Sequence, residues 1–461
     1  MPLISSISGI RGTIGGTPGE SLSPIDVVKF SAAFGAFVKE SSRFSRIVIG
    51  RDGRISGPLI NQLVITTLQS MGIDVIDLEL STTPTVEIAV PLEKAGGGIV
   101  ITASHNPKNW NALKLLNQRG EFISDAEGKR VLELAKVNKM EFAQSNSTGK
   151  YFRNEHYFSK HIELILNLPL VDSKAIKAKN FKIVVDGINS TGGIIVPQLL
   201  KALGVSDIIV LNGEVDGNFA HNPEPLAENL LELSQKVKKS RANLGIAVDP
   251  DVDRLVFVNE DGSMFGEEYT LVSIADYILQ HKKGNTVSNL SSTRALKDIT
   301  EKSGFKYFPA AVGEVNVVSV MKTNKAVIGG EGNGGVIYPE LHYGRDALVG
   351  IALFLTNLAK SGISSSALRA KFPNYFISKN KIELTPTTDV DNILENFKKK
   401  YKKYPLNTED GVRIEFEKEW VHLRKSNTEP IIRIYAESNS ETTAVHLANK
   451  IISDIREMIR S

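Results

Sequence analysis

Short apolar runs that break off into polar loops recur along this chain at domain-sized intervals. Gly96 to Ile101 runs into Thr102-Ala103-Ser104-His105-Asn106-Pro107, and Leu244 to Val248 into Asp249-Pro250-Asp251-Val252-Asp253-Arg254. Ala326 to Ile328 runs into Gly329-Gly330-Glu331-Gly332-Asn333-Gly334-Gly335. A brief apolar run bounded by turn-forming residues reads as a buried strand. Helical spacing separates such runs, as in Pro58 to Met71 between the strands Arg46–Gly50 and Asp74–Leu80. His156 to Leu168, Ile195 to Leu203 and Thr270 to Gln280 read likewise. Strands alternating with helices predict α/β domains with mixed sheets.

The last stretch differs. Lys379 to Leu384, Asp410 to Phe416, Trp420 to Arg424 and Ile431 to Ala436 are strand-like, and Asp389 to Lys400 and Thr442 to Ile459 are helical. This predicts an α+β domain with helices on a mainly antiparallel sheet. At 461 residues and about 100–200 residues per domain, several domains are expected. The predicted boundaries are 1–148, 149–254, 255–372 and 373–461, giving three similar α/β domains and one C-terminal α+β domain.

Composition narrows the chemistry. The chain has no Cys, so thiolate metal sites, disulfides and a Cys nucleophile are excluded. Eight His without an H-x-x-x-H arrangement argue against zinc. A net charge of +3 supplies no global drive toward nucleic acid. No apolar run approaches the ~20 residues that span a bilayer. The expectation is a cytoplasmic protein that partners neither nucleic acid nor membrane, as a monomer or homodimer.

Four stretches carry chemistry. Ser104, at the mouth of a buried strand beside His105 and near Lys114, suits a nucleophile, with a plain turn residue as the alternative. Asp249, Asp251 and Asp253, spaced i, i+2, i+4 in a segment expected to be extended, would face one side and repel one another without a cation. Hard oxygen ligands of this kind suit Mg2+, one per chain, against the alternative of an acidic surface loop. Glu331 and Asn333, flanked by glycines, suit neighbouring sugar hydroxyls or form only a flexible turn. Arg424-Lys425-Ser426-Asn427-Thr428, with Arg433, combines a guanidinium fork with hydroxyls and an amide, which suits a phosphate dianion. A polar hairpin is the alternative there. Arg11 between Gly9 and Gly12 allows close approach to an anion, whereas Arg51-Asp52-Gly53-Arg54 reads as an internal Arg–Asp pair.

Taken in this order, the four motifs resemble those of the α-D-phosphohexomutase superfamily over essentially the whole chain. Within it, Val312-Gly313-Glu314 and Arg424-Lys425-Ser426 resemble the phosphoglucosamine mutase subgroup. The resemblance implies four domains around a central cleft. It implies that Ser104 is a phosphoserine, and that Asp249, Asp251 and Asp253 bind Mg2+ together with a Ser104 phosphate oxygen. Glu331 and Asn333 would recognise the sugar. Arg424, Ser426, Asn427 and Thr428 would hold the phosphate that is not transferred, with Arg254 and Arg433 as further substrate contacts. Arg11 and Lys114 would lie by the reacting groups. The expected general base is Lys114, with its pKa lowered by nearby cations, and His105 is second.

The implied reaction interconverts hexose 6-phosphate and hexose 1-phosphate through a 1,6-bisphosphate, which also serves as activator. Glucosamine is the expected sugar, feeding UDP-N-acetylglucosamine synthesis. Asn427 stands where the bacterial pattern usually has Gly, Asn333 where it has Ser, and Gly335 where many members have His. These departures resemble archaeal-type members of mixed hexose specificity, so phosphomannomutase/phosphoglucomutase activity stays open. An aspartyl phosphatase or a non-catalytic sugar-phosphate sensor are the readings from other classes.

Overall fold

The computed structural model describes residues 3–6, 9–137, 140–384, 389–425 and 431–460, with the side chains of 5, 6, 459 and 460 excepted. The chain forms two compact units, 1–281 with 333–369, and 282–332 with 370–461.

The first unit holds two α/β domains. One is built on a seven-stranded mixed sheet ordered Ile4–Ser6, Gly9–Thr13, Trp110–Asn117, Gly97–Ile101, Arg46–Arg51, Asp74–Leu80, Tyr151–Arg153. Arg46–Arg51 runs parallel to both neighbours, and Gly97–Ile101 pairs antiparallel with Trp110–Asn117. Every residue of Gly97–Ile101 is buried, as its unbroken apolar run requires. The return strand Trp110–Asn117 has no clean alternation in sequence, yet it carries Lys114 beside Val100. Helix Pro24–Ser41 begins with a capping box between Ser23 and Asp26.

The second domain's sheet is ordered Leu255–Asn259, Leu244–Val248, Lys182–Asp186, Asp207–Leu211. Leu255–Asn259 was expected to open the third domain. It pairs antiparallel with Leu244–Val248 instead, because the acidic loop between them turns the chain back on itself. The same unit contains helix Glu267–His281 and helix Ala347–Ser361. Ala347 to Ala359 is buried on all sides, stacked through Phe354 on Phe257.

In the second unit, Tyr307–Ala310, Thr286–Asn289 and Ile328–Glu331 form parallel neighbours of a third α/β domain. The C-terminal sheet is antiparallel throughout, ordered Phe376–Glu383, Ile431–Ser438, Trp420–Lys425, Val412–Glu415, Leu406–Asn407. Helices Val390–Lys400 and Glu441–Arg460 complete this α+β domain. The architecture is thus three α/β domains and a C-terminal antiparallel one, as expected. Among the described residues no helix is long and apolar enough to cross a membrane.

Candidate active site

Ser104 lies just past the carboxyl end of Gly97–Ile101, where ligands gather in α/β sheets. Its backbone takes φ 50, a left-handed conformation that turns the side chain out of the strand direction. Arg54, almost wholly buried, holds the loop in that shape. Its guanidinium donates to the carbonyl oxygens of Ser104 (2.6 Å), Asn106 (2.7 Å), Pro107 (2.7 Å) and Trp110 (2.9 Å). Arg54 Nε also pairs with Asp52 at 3.0 Å, which is the internal pair expected of this stretch. Asp52 accepts in turn from the Thr102 hydroxyl (2.7 Å), and Thr102 Oγ1 accepts from the Ser104 amide (2.9 Å).

The Ser104 hydroxyl donates to Asp249 Oδ2 at 2.7 Å. His105 Nδ1 is farther from it, at 3.4 Å. Asp249, Asp251 and Asp253 are all completely buried, with one carboxylate oxygen from each within 4.8 Å of the others. They converge by a different route from the one expected. The segment is a tight turn rather than an extended strand, with β-branched Val252 at φ 62. Asp249 Oδ1 accepts the amides of Asp253 and Arg254, both at 3.1 Å, and this closes the turn.

The trio fits a divalent cation. Asp251 Oδ1 and Asp253 Oδ1 are buried without a hydrogen-bond partner, which is costly for a carboxylate unless a cation meets them. Their second oxygens are occupied. Lys114 Nζ reaches Asp251 Oδ2 at 2.7 Å and Asp253 Oδ2 at 3.4 Å, and Arg345 reaches Asp253 Oδ2 at 2.7 Å. Thr83 adds its hydroxyl to Asp251 Oδ2 and its amide to the Asp251 carbonyl. A metal at Asp251 and Asp253 would therefore take the oxygens that the protein leaves unshared.

Burial and mutual repulsion among the three carboxylates raise the Asp249 pKa well above its usual range. Burial would do the same to Asp253, but Arg345 and then Lys114 outweigh it and hold that carboxyl low. Burial lowers Lys114, yet Asp251 and Asp253 overcome this and raise it. This direction is opposite to the lowering expected for Lys114, because the carboxylates outweigh the other cations around it. Burial, reinforced by Arg254, holds the His105 pKa well below the usual imidazole range. Burial, and then the like charge of Arg254, lower the Arg11 pKa. Arg254 itself donates to Glu224 at 3.1 Å.

The remaining predicted residues divide between the units. Asn333 belongs to the first, where its Oδ1 accepts the Gly335 amide at 3.2 Å. Glu331 belongs to the second, accepting from Asn289 Nδ2 at 2.8 Å and from the Gly313 amide at 3.1 Å. Gly313 lies in the Val312-Gly313-Glu314 stretch, so that segment and Glu331 are one construction. Arg424 pairs with Asp410 at 3.1 Å, and Asp410 Oδ2 also accepts the Val312 amide at 3.0 Å. Arg433 lies opposite Arg424 in the sheet. Ser426, Asn427 and Thr428 lie outside the described residues.

Sequence reasoning missed Thr83, Arg345 and Asp410. Asp346 before a long apolar stretch is a readable helix cap. Nothing local, however, says that its neighbour Arg345 reaches back to Asp253.

Comparison with known proteins agrees along the whole chain. Four family models match in order: phosphoglucomutase/phosphomannomutase alpha/beta/alpha domain I at residues 4–141, domain II at 158–262, domain III at 266–375 and the C-terminal domain at 382–453. A Thermococcus kodakarensis protein named phosphoglucomutase/phosphomannomutase is 37% identical over 94% of this chain and 95% of its own. A Sulfurisphaera tokodaii phosphoglucosamine/phosphogalactosamine mutase is 33% identical over 96% of this chain and 97% of its own. The crystal structure of a phosphoglucomutase/phosphomannomutase family protein from Burkholderia thailandensis superposes with a TM-score of 0.86 at 26% identity, covering 100% of this chain and 98% of that one.

Proposed function

The chain belongs to the phosphoglucomutase/phosphomannomutase family of the α-D-phosphohexomutase superfamily, and from that premise we propose that it interconverts hexose 6-phosphates and 1-phosphates through Ser104. One observation carries the reading. The Ser104 hydroxyl sits 2.7 Å from a buried three-carboxylate turn that leaves two oxygens unshared.

In this reading Ser104 bears a phosphoryl group at rest and gives it to the free hydroxyl of the substrate. The phosphoserine P–O bond breaks as the bond to the sugar oxygen forms, leaving a hexose 1,6-bisphosphate and a free serine. The bisphosphate turns over, and Ser104 Oγ attacks the phosphate at the other end. In the first transfer the proton of the sugar hydroxyl goes to His105 and on to the departing Ser104 Oγ, and in the second it returns from Ser104 Oγ through His105 to the departing sugar oxygen. His105 is the proton acceptor on the sugar side, on the ground of its position beside Ser104. Lys114, protonated, serves as fixed charge rather than as base. Asp249, Asp251, Asp253 and a Ser104 phosphate oxygen would hold one Mg2+. When bound, that ion supplies Lewis-acid neutralisation of charge on the transferred phosphoryl group.

Glu331 and Asn333 are assigned to the sugar, Arg424, Ser426, Asn427, Thr428 and Arg433 to the second phosphate, and Arg11 and Arg254 to the first. Glucosamine is the preferred sugar, as the Val312-Gly313-Glu314 and Arg424-Lys425-Ser426 stretches suggest. The second reading is a phosphoglucomutase/phosphomannomutase, favoured by the name of the 37% identical relative.

Incubation with a hexose 1,6-bisphosphate should add about 80 Da to the peptide containing Ser104. Ser104→Ala should gain nothing and lose turnover by several orders of magnitude. Labelling of that variant, or its undiminished turnover, would remove Ser104 from the mechanism. Parallel assays on glucosamine, glucose and mannose 6-phosphates rank the sugars. Faster turnover of either neutral sugar overturns the glucosamine assignment.

A further inference from the structure

We propose that Arg345 is a positioning residue of the transfer site, restricting Asp253 to a single free oxygen and offsetting the charge of the acidic trio. The inference rests on the metal reading given above.

Arg345 is nearly buried, and its guanidinium meets Asp253 Oδ2 at 2.7 Å. Asp253 Oδ1 is the oxygen left without a partner. One oxygen is thus tied and the other presented, so the carboxylate cannot swing into a two-oxygen grip.

Two constructions hold Arg345 there. The next residue, Asp346, caps helix Ala347–Ser361 through the amide of Leu348 (2.8 Å), and the buried His161 holds its other oxygen at 2.9 Å. The Ala347 amide then bonds the Val252 carbonyl at 3.2 Å, which ties the start of the helix to the acidic turn. On the other side Arg345 uses space that only a glycine leaves. A Cβ on Gly335 would overlap Arg345 Cδ and come within 3.1 Å of Cγ. Gly335 and Arg345 are therefore a matched pair, in which the missing side chain at 335 is the path by which the guanidinium enters.

Charge explains the benefit. Three carboxylates and one divalent cation leave a net negative charge beside an incoming phosphate dianion. With Lys114 and Arg345 counted, the sum becomes positive. Arg345 thus weakens the hold on the metal somewhat and strengthens the hold on phosphate. A residue that merely propped the fold would weaken both when removed.

The experiment titrates the full-length protein with Mg2+ by calorimetry, then with inorganic phosphate at saturating Mg2+. Arg345→Gln should bind Mg2+ roughly threefold or more tighter and phosphate weaker by a similar factor. Arg345→Lys, which keeps the charge, should stay close to wild type in both titrations. Gly335→Ala should behave as Arg345→Gln, and the double variant should be no worse than either single one. If Arg345→Gln fails to fold, Gly335→Ala makes the same test with the guanidinium retained. Unchanged affinities, or a loss of both, overturn the role of Arg345. Absence of Mg2+ binding in the wild type is a separate result, and it would sink the metal reading itself.

Discussion

Ser104 is held in a conformation that a side-chain-bearing residue adopts reluctantly. A left-handed backbone costs an L residue about 1–2 kcal/mol relative to glycine, and the four carbonyl bonds from Arg54 over-determine it. Comparing two inactive variants isolates that strain. Ser104→Gly should be more stable than Ser104→Ala by about 1 kcal/mol, measured by denaturant unfolding. Equal stability would mean that the loop relaxes once the hydroxyl is gone. The chemistry of this residue was readable from its neighbours, because a hydroxyl in a turn after a buried run is a local pattern. Its partner was not: Asp249 lies 145 positions away. The same holds for Lys114, whose raised pKa depends on carboxylates brought in from another domain.

Individual elements show where local periodicity suffices. The runs Asp74–Leu80 and Leu244–Val248 are strands at the predicted bounds, since β-branched runs have one good use in a small space. Helix Ala347–Ser361 is apolar on every side and carries no helical stripe, so no amphipathic signal announces it. The predicted boundary after residue 254 put Leu255–Asn259 in the third domain, whereas it belongs to the second sheet, because pairing is decided by the turn before it.

In the C-terminal sheet, Glu437 is buried and accepts from Trp420 Nε1 at 2.6 Å and from the Arg294 amide at 3.0 Å. Burial pushes its pKa up to about 6 despite these bonds and the nearby Arg413. A carboxyl raised on folding contributes its stability below the unfolded value of 4.5 and loses it as pH rises through about 6. The loss amounts to about 2 kcal/mol between pH 4 and 7. Glu437→Gln cannot ionise, so unfolding at the two pH values should show the variant gaining about that much on the wild type. Parallel pH profiles for the two proteins would refute the assignment.

Across the molecule, the residues proposed for phosphoryl transfer share one compact unit with Asn333, Arg11 and Arg254, and the other proposed substrate contacts belong to the second. Ser104, Lys114 and the Asp trio lie in one, and Glu331, Arg424 and Arg433 lie in the other. Ligand stabilisation should follow that division. Mg2+ at a hundred times its dissociation constant should stabilise the wild type by about 2.7 kcal/mol, read as a rise in melting temperature that a chelator reverses. Asp251→Asn with Asp253→Asn should abolish the rise, since these carboxylates supply the unshared oxygens. A rise that persists in the double variant would move the metal elsewhere.

The amino-acid sequence alone determined the alternation of strands and helices, the four chemistry-bearing loops and their order, because each is a property of neighbouring residues. Only the tertiary structure decided which cations share the trio, that the acidic segment turns rather than extends, and that Lys114 meets two of its carboxylates. Those outcomes depend on burial and on distances between residues far apart in the chain. Arg345 meeting Asp253 across 92 positions, through the gap that Gly335 leaves, is a fact of packing that no local pattern encodes.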